Sequence, residues 1–147
     1  MRFMIIVPAT TDSEGGVLPT EVQLADMTTY NEEMLRAGVF VAGEGLHPSS
    51  RGARVSYPAD GEMTVTDGPF AEAKELIAGF TMIDVSSRQE AVEWLRKWPR
   101  SCSDDAEFTL ELRQVFAADD FGDALTPELR EREDAMREAA ARTAAQG

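Results

Sequence analysis

The feature that most restricts how this chain can fold is the run 77–85, which is largely apolar on both of its alternating faces. Such a run is typical of a central β-strand that is covered on both sides. Further along, Phe108, Leu110 and Leu112 alternate with polar residues, a pattern that indicates a strand with one buried and one polar face. The chain is therefore predicted to be built around a sheet whose centre is covered.

Two amphipathic helices are predicted to supply part of that cover. Thr20 and Gln23 form a capping-box pattern at the start of a helix over about residues 21–37. Ser87 and Glu90 form a second such pattern ahead of another helix. The second helix carries an apolar stripe at i, i+3, i+4 and i+7, which consists of Ala91, Trp94, Leu95 and Trp98.

Further strands are predicted over 2–7 and 39–46. The second of these is weakened by Gly43 and Gly45, which indicate a bulge or the close approach of another group. A hairpin with an Asp-Gly turn follows. Its strands are predicted at 54–57 and 63–66. The short stretch 71–76, after the hairpin, has a helical composition.

Apart from the inserted hairpin, the order of elements is βαββαβ, which predicts an α+β, ferredoxin-like fold with an antiparallel sheet. Two helices can cover only one face of such a sheet, so the other face must be solvated, bind a ligand or pair with a second copy. We predict this domain over 1–117. An acidic segment and a C-terminal helix to about residue 144 form an extension over 118–147.

The charge of the chain narrows the classes of partner. Acidic residues outnumber basic ones by 27 to 14, and the formal net charge is −13. Such a field repels phosphate backbones and anionic lipids, so neither nucleic acid nor membrane is an expected partner. The lone Cys102 cannot form an internal disulfide, which favours a reducing compartment. The cytoplasm is the predicted location.

Motifs for common cofactors are missing from the sequence. Gly43-Glu44-Gly45 lacks the third glycine and the following helix of a dinucleotide fingerprint. One histidine and one cysteine are too few for a typical zinc site, and the acidic segment 119–123 lacks the spacing of a calcium loop. We therefore predict no cofactor and no dedicated metal site.

Polar residues that could perform chemistry concentrate in two loops, after the second strand and after the hairpin. His47 is the predicted proton carrier, because histidine most readily exchanges a proton near neutral pH. Asp67 is its predicted catalytic partner. The alternatives are that His47 is a solvated turn residue and that Asp67 caps a turn. Predicted ligand-binding residues are Glu44, Lys74, Glu75 and Arg113.

Arg113 is included because of its position on the last strand. If Leu110 and Leu112 face the helices, Glu111 and Arg113 point to the opposite face of the sheet. Charged groups are costly there unless they are paired or bound to a ligand. A ligand site and a pairing of Glu111 with Arg113 or with a second subunit both remain open.

The segment Thr66–Phe80, TDGPFAEAKELIAGF, resembles the signature of the YCII-related proteins, and in particular their DGPF branch. The resemblance extends over about 1–117 and implies a homodimeric α+β barrel, in which two sheets cover each other's open faces. The motif positions that carry over are Asp67, Gly68, Pro69, Phe70, Glu72, Lys74, Glu75 and Gly79. A histidine proposed as catalytic on the first helix of related proteins has no counterpart here, so that dyad does not carry over.

Two functions are consistent with these observations. The first is the binding or transformation of a small molecule in a cleft of the dimer. The second is a regulatory module that interacts with a protein partner through its acidic surface and C-terminal helix. The resemblance links this second function to sigma-factor or stress regulation.

Overall fold

A computed structural model describes residues 1–72, 75–103 and 108–144 of the chain. The chain divides into two compact units, 1–114 and 115–147. The helices and strands of the first unit are β1 (Arg2–Pro8), α1 (Thr11–Glu14), α2 (Glu21–Arg36), β2 (Phe40–Gly45), β3 (Ala53–Ser56), β4 (Thr64–Asp67), β5 (Ile77–Asp84), α3 (Arg88–Arg96) and β6 (Glu111–Gln114).

The main sheet has four strands in the order β2-β5-β1-β6, and every neighbouring pair is antiparallel. This order and direction are those of the ferredoxin-like βαββαβ fold, so the predicted fold class is confirmed. The strand β5, predicted from its apolar faces, lies between β1 and β2. The last strand is shorter than predicted. The alternating pattern starts at Phe108, whereas β6 begins at Glu111.

The core lies between one face of this sheet and the helices α2 and α3. Phe3, Ile5 and Ile83 project from the central strands and are 2%, 0% and 0% exposed. They pack with residues of both helices, among them Met34 and Trp94. Alternation along β1 and β5 explains this arrangement, because every second side chain reaches the same face.

Tyr30 joins the two helices. Its ring is 3% exposed, and its hydroxyl donates a hydrogen bond to the Trp94 carbonyl at 3.0 Å. Burial, aided by the nearby Glu33 carboxylate, raises the pKa of Tyr30 to about 12. The hydroxyl therefore remains protonated and keeps its donor at neutral pH.

The two predicted helix caps differ in detail. At α2, Thr20 and Gln23 bond each other's backbone N–H groups, so this capping box is confirmed. At α3, the Ser87 side chain accepts from the Glu90 N–H, but the Glu90 carboxylate accepts from the N–H and hydroxyl of Ser86. The predicted reciprocal bond is therefore wrong, because Ser86 offers two donors to the same carboxylate. These bonds lower the pKa of Glu90.

The hairpin forms a separate two-stranded sheet in which β3 pairs with β4, Ala53 standing opposite Asp67. The pairing of β2 with β5 shifts register between Phe40 and Ala42, ahead of the two glycines from which a bulge or a close approach was predicted. The helical composition of 71–76 does not produce an α-helix in the described part of that stretch, where the Glu75 N–H bonds the Glu72 carbonyl. The backbone is instead drawn into the sheet, since the Leu76 carbonyl accepts from the Ala9 N–H. Residues 73 and 74 lie outside the described residues.

The second unit contains a short 3₁₀ segment, Ala118–Ala124, and the helix α4 (Pro127–Ala144). Within this unit Arg130 forms an ion pair with Asp119 at 3.0 Å, and the Phe116 and Phe121 rings lie 5.2 Å apart. The predicted C-terminal helix is confirmed. In the described part of the chain, no helix has the length and apolar character that crossing a membrane requires. The cytoplasmic location stays a prediction.

Candidate functional site

A cavity of about 370 Å³ opens on the helix-bearing side of the sheet, next to its β2 edge. Its described lining comes from the end of β1, from β2 and β5, and from α2 between Gln23 and Asn31. Trp98, Cys102 and Phe108 also contribute, as does the segment 10–19 between β1 and α2. We call this last segment the closing segment. The volume lies within the range of about 300–1,000 Å³ that is usual for small-molecule sites.

Glycines on β2 and β5 leave room for the cavity. Gly43 stands opposite Thr81, and Gly45 stands opposite Gly79. A Cβ on Gly79 would lie 2.8 Å from the Glu44 carbonyl oxygen, so only glycine allows the two strands to approach this closely. A Cβ on Gly45 would meet no atom within 4 Å. The close approach predicted from Gly43 and Gly45 is thus present, with an open space beside it.

The helix α2 turns one face toward this space. Gln23, Met27 and Asn31 follow each other at intervals of four residues, which places them on one side of a helix. All three line the cavity. The neighbouring Tyr30 and Met34 belong to the buried core. One side of the helix therefore packs in the core, and the adjacent side borders the cavity.

Two aromatic rings form the opposite wall. Trp98 and Phe108 are stacked, with ring centroids 6.4 Å apart and planes inclined by 26°. Tyr30 contacts the edge of Trp98 from the core side, with centroids 5.7 Å apart. These contacts hold the indole ring in place, so the wall is flat and apolar.

Two buried polar atoms in this wall and in α2 have no hydrogen-bond partner among the described residues. They are Trp98 Nε1, a donor, and Asn31 Oδ1, an acceptor. Both side chains line the cavity. A buried polar atom without a partner costs about 1–3 kcal/mol, so native proteins rarely leave one unexplained. The two atoms themselves have almost no accessible surface, so they lie behind the surface of the cavity.

Cys102 also borders the cavity, and its thiol lies 3.4 Å from the Gln23 carbonyl oxygen, to which it donates. Burial raises the pKa of the Cys102 thiol. Because the thiolate is the nucleophilic form of cysteine, this group is a neutral donor at pH 7. In the part of the cavity that the structure describes, no nucleophile is hydrogen-bonded to a base.

The ionisable groups around the cavity disfavour an anionic ligand. Asp12 and Glu44 are the carboxylates among its described lining residues, and none of those residues is Lys, Arg or His. An anion would find no neutralising partner and would face the net charge of −13. An isolated charge in the apolar interior is costly as well.

The DGPF turn, Asp67–Phe70, lies in the first unit and is defined by close contacts. A Cβ on Gly68 would stand 1.8 Å from the Ser49 carbonyl oxygen, and the Gly68 N–H bonds the Gly52 carbonyl at 3.0 Å. The half-buried Phe70 ring lies outside the central core and carries the Arg54 guanidinium 4.0 Å above its centroid. The motif glycine is therefore required by packing, and Phe70 supports a cation instead of filling the core.

The predicted catalytic pair does not line the cavity. His47 is exposed, and one guanidinium nitrogen of Arg51 lies 3.1 Å from its Nε2 and 3.3 Å from its Nδ1. Asp67 ends β4 and is exposed. Of the hydrogen bonds between described residues, none joins His47 to a carboxylate that could orient it. A catalytic role for His47 and Asp67 stays a prediction.

Of the predicted binding residues that the structure describes, only Glu44 borders the cavity. Glu75 is exposed, and Lys74 lies outside the described residues. Arg113 pairs with Glu111 at 3.1 Å, and both side chains are largely exposed. Their strand β6 and the strand β2 are opposite edges of the sheet, three strand spacings or about 14 Å apart. Within one chain, Arg113 and Glu44 therefore do not share a small site.

Sequence reasoning missed Asn31 and Trp98 as site residues. A signal for Asn31 exists, because it stands four residues after Met27 on the inward side of α2, where an amide needs a partner. Trp98 continues the apolar stripe of α3, and nothing local distinguishes a core ring from a cavity wall. Its unpaired Nε1 becomes visible only once its neighbours are in place.

Comparisons with known proteins identify the family of this chain. The family model for the YCII-related domain matches residues 1–109. Uncharacterized protein R00369 of Rhizobium meliloti (strain 1021) is 36% identical over 73 residues, which are 50% of this chain and 58% of that protein. The match therefore covers less than two thirds of that relative. The DGPF branch indicated by the motif stays a prediction.

A solved structure is also similar to this chain. It is the 5-chloro-2-hydroxyhydroquinone dehydrochlorinase from Burkholderia phenoliruptrix AC1100 in complex with 2,5-dihydroxybenzoquinone. The TM-score is 0.39 and the sequence identity 12%, over 79% of this chain and 94% of that one.

Proposed function

The chain belongs to the family of YCII-related domain proteins, and because that membership names no reaction, we propose its function from the cavity. The proposed function is the binding of an uncharged, largely apolar small molecule between α2 and the sheet. The observation that carries it is the cavity of about 370 Å³, whose described lining is largely apolar and includes the stacked rings of Trp98 and Phe108. A ligand with an aromatic ring would pack against the Trp98 and Phe108 rings.

Binding is better supported than catalysis. The thiol of Cys102 is held in its neutral form, and the predicted proton carrier His47 stands outside the cavity. The described lining offers hydrogen bonds that orient a molecule and apolar surface that retains it.

The test uses the two tryptophans of the chain as reporters. Their indole N–H groups give two signals in a ¹⁵N–¹H spectrum, and the variant Trp98→Phe assigns them. The matched probes are 2-naphthalenemethanol, which is neutral, and 2-naphthoate, an anion of similar size. We expect the alcohol to shift the Trp98 signal saturably, and the anion to bind at least about tenfold more weakly, equivalent to about 1.4 kcal/mol.

Two outcomes would contradict this function. One is a Trp98 signal that neither probe moves at concentrations approaching their solubility. The other is binding of 2-naphthoate as tight as that of the alcohol, which would remove the argument from the charges of the lining.

The far face of the sheet supports the predicted homodimer. Met4 stands opposite Met82, and Ile6 stands opposite Phe80, so the centre of the face turned away from the helices is apolar, with Glu111 and Arg113 beside it on β6. We propose that a second copy of the chain packs on this face. Light scattering of the purified protein is expected to give twice the mass of 16.1 kDa, and Met82→Lys is expected to shift it toward a single chain. A single-chain mass for the unaltered protein would refute the dimer.

A further inference from the structure

Ser49 stands between the DGPF turn and the closing segment and bonds to both. Its hydroxyl donates to Glu14 Oε2 at 2.5 Å, and its N–H donates to Glu14 Oε1 at 3.1 Å. The same hydroxyl oxygen accepts from the Phe70 N–H at 3.0 Å. A single serine thus connects the last residue of α1 with the motif turn.

The motif side of this connection is rigid. Gly68 packs so closely on the Ser49 carbonyl that no Cβ fits between them. The Ser49 backbone is held by a 3₁₀ turn, in which the Gly52 N–H bonds the Ser49 carbonyl at 2.9 Å. The hydroxyl of Ser49 is therefore presented to Glu14 from a fixed position.

The helix α1, on the cavity side of this connection, depends on the contact with Ser49. The helix α1 has only four residues, and helices this short do not form on their own in water. Thr10 and Ser13 cap each other within it, so α1 behaves as one small unit. Thr10, Asp12 and Ser13 line the cavity. Holding Glu14, the last residue of α1, therefore also holds the lining residues of this unit in place. Hydrogen bonds to a carboxylate are among the stronger hydrogen bonds in proteins.

We propose that Ser49 is a positioning residue through which the DGPF turn holds the closing segment over the cavity. Disorder in the DGPF turn then lowers the affinity of the cavity for a ligand. By the same linkage, a ligand bound in the cavity stabilises the turn. The part of this inference that concerns a bound ligand rests on the proposed function. The part that concerns the closing segment does not.

The first experiment measures amide hydrogen exchange in the full chain without any ligand. Suitable reporters are the N–H groups of Glu14, Gly15 and Val17, which bond to carbonyls within the segment at 2.8–3.0 Å. Ser49→Ala is expected to speed their exchange about tenfold, while the matched control Ser50→Ala, at an exposed neighbour, leaves it unchanged. Ser49→Thr, which keeps the hydroxyl, is expected to restore slow exchange.

Unchanged rates in Ser49→Ala would overturn the inference. Equal acceleration of the amides in α2 would overturn it as well, because Ser49 would then support the whole fold and not this segment.

The second experiment measures the affinity of 2-naphthalenemethanol for the same variants. We expect about fivefold weaker binding in Ser49→Ala and in Glu14→Ala, and no further loss in the double variant, because both changes open the same connection. Equal affinity in Ser49→Ala and the unaltered protein would refute the link to the cavity. If the unaltered protein does not bind the probe, the proposed function fails, and the exchange result still decides whether Ser49 holds the segment.

Discussion

Replacing Gly68 with alanine is expected to lower the midpoint of thermal unfolding by about 10 °C, which corresponds to about 3 kcal/mol for a chain of this size. The new Cβ would stand 1.8 Å from the Ser49 carbonyl oxygen and 3.1 Å from the Ser50 nitrogen. Both are backbone atoms, which cannot rotate away as a flexible side chain would. Either the DGPF turn or the 3₁₀ turn at Ser49 must therefore move. Circular dichroism during heating measures the effect.

Gly52→Ala is the matched control for this change. Gly52 belongs to the same contact region, but a Cβ there would lie at an ordinary distance of 3.5 Å from the Ser49 carbonyl oxygen. Its backbone is extended, with φ of −117°, which alanine adopts readily. We expect a change of no more than a few degrees. Equal midpoints for Gly68→Ala and Gly52→Ala would show that the turn does not depend on the missing Cβ.

The second large effect is expected on binding. Gly45→Leu should weaken the binding of 2-naphthalenemethanol at least about tenfold, equivalent to about 1.4 kcal/mol, while the fold is retained. Gly45 lines the cavity, and a Cβ built on it meets nothing within 4 Å, so a larger side chain has space to enter. The residue lies on the edge strand β2, where a side chain also favours the extended backbone. Calorimetric titration measures the affinity.

A graded series separates blocking of the cavity from general disturbance of β2. Gly45→Ala should reduce the affinity less than Gly45→Leu, because it fills less of the space. Val41→Leu, on the same strand at a 47% exposed position, should leave the affinity unchanged. Binding that is equally tight in Gly45→Leu and in the unaltered protein would place the ligand elsewhere.

The fold could be predicted from the sequence because its signals are local. Thr20 and Gln23 are three residues apart and form the cap they predict. The hairpin of β3 and β4 was also predicted, but the loop 57–63 joins its strands, and Gly61 does not adopt the positive φ expected of a tight Asp-Gly turn. The capping of α3 was predicted only in part, since the choice of Glu90 between Ser87 and Ser86 depends on which donors its carboxylate can reach.

The sequence indicated the candidate site only where residues depart from the pattern expected of a strand. Gly43 and Gly45 interrupt a strand, and the interruption marks the place where the cavity opens. His47 and Asp67 were predicted as site residues because their side chains can exchange protons and lie in predicted loops. Residue type alone does not show whether two side chains lie on the same surface. Their loops lie beside the hairpin sheet, away from the cavity.

By itself the sequence determined the order of strands and helices, the single covered face of the sheet and the acidic character of the chain. These depend on periodicity and composition, which neighbouring residues along the chain already express. Only the tertiary structure decided where the cavity lies, that Asn31 and Trp98 leave polar atoms unpaired, and that Ser49 joins Glu14 to Phe70. The physical reason is that empty space and unmet hydrogen bonds arise from the packing of distant segments, and no single segment contains them.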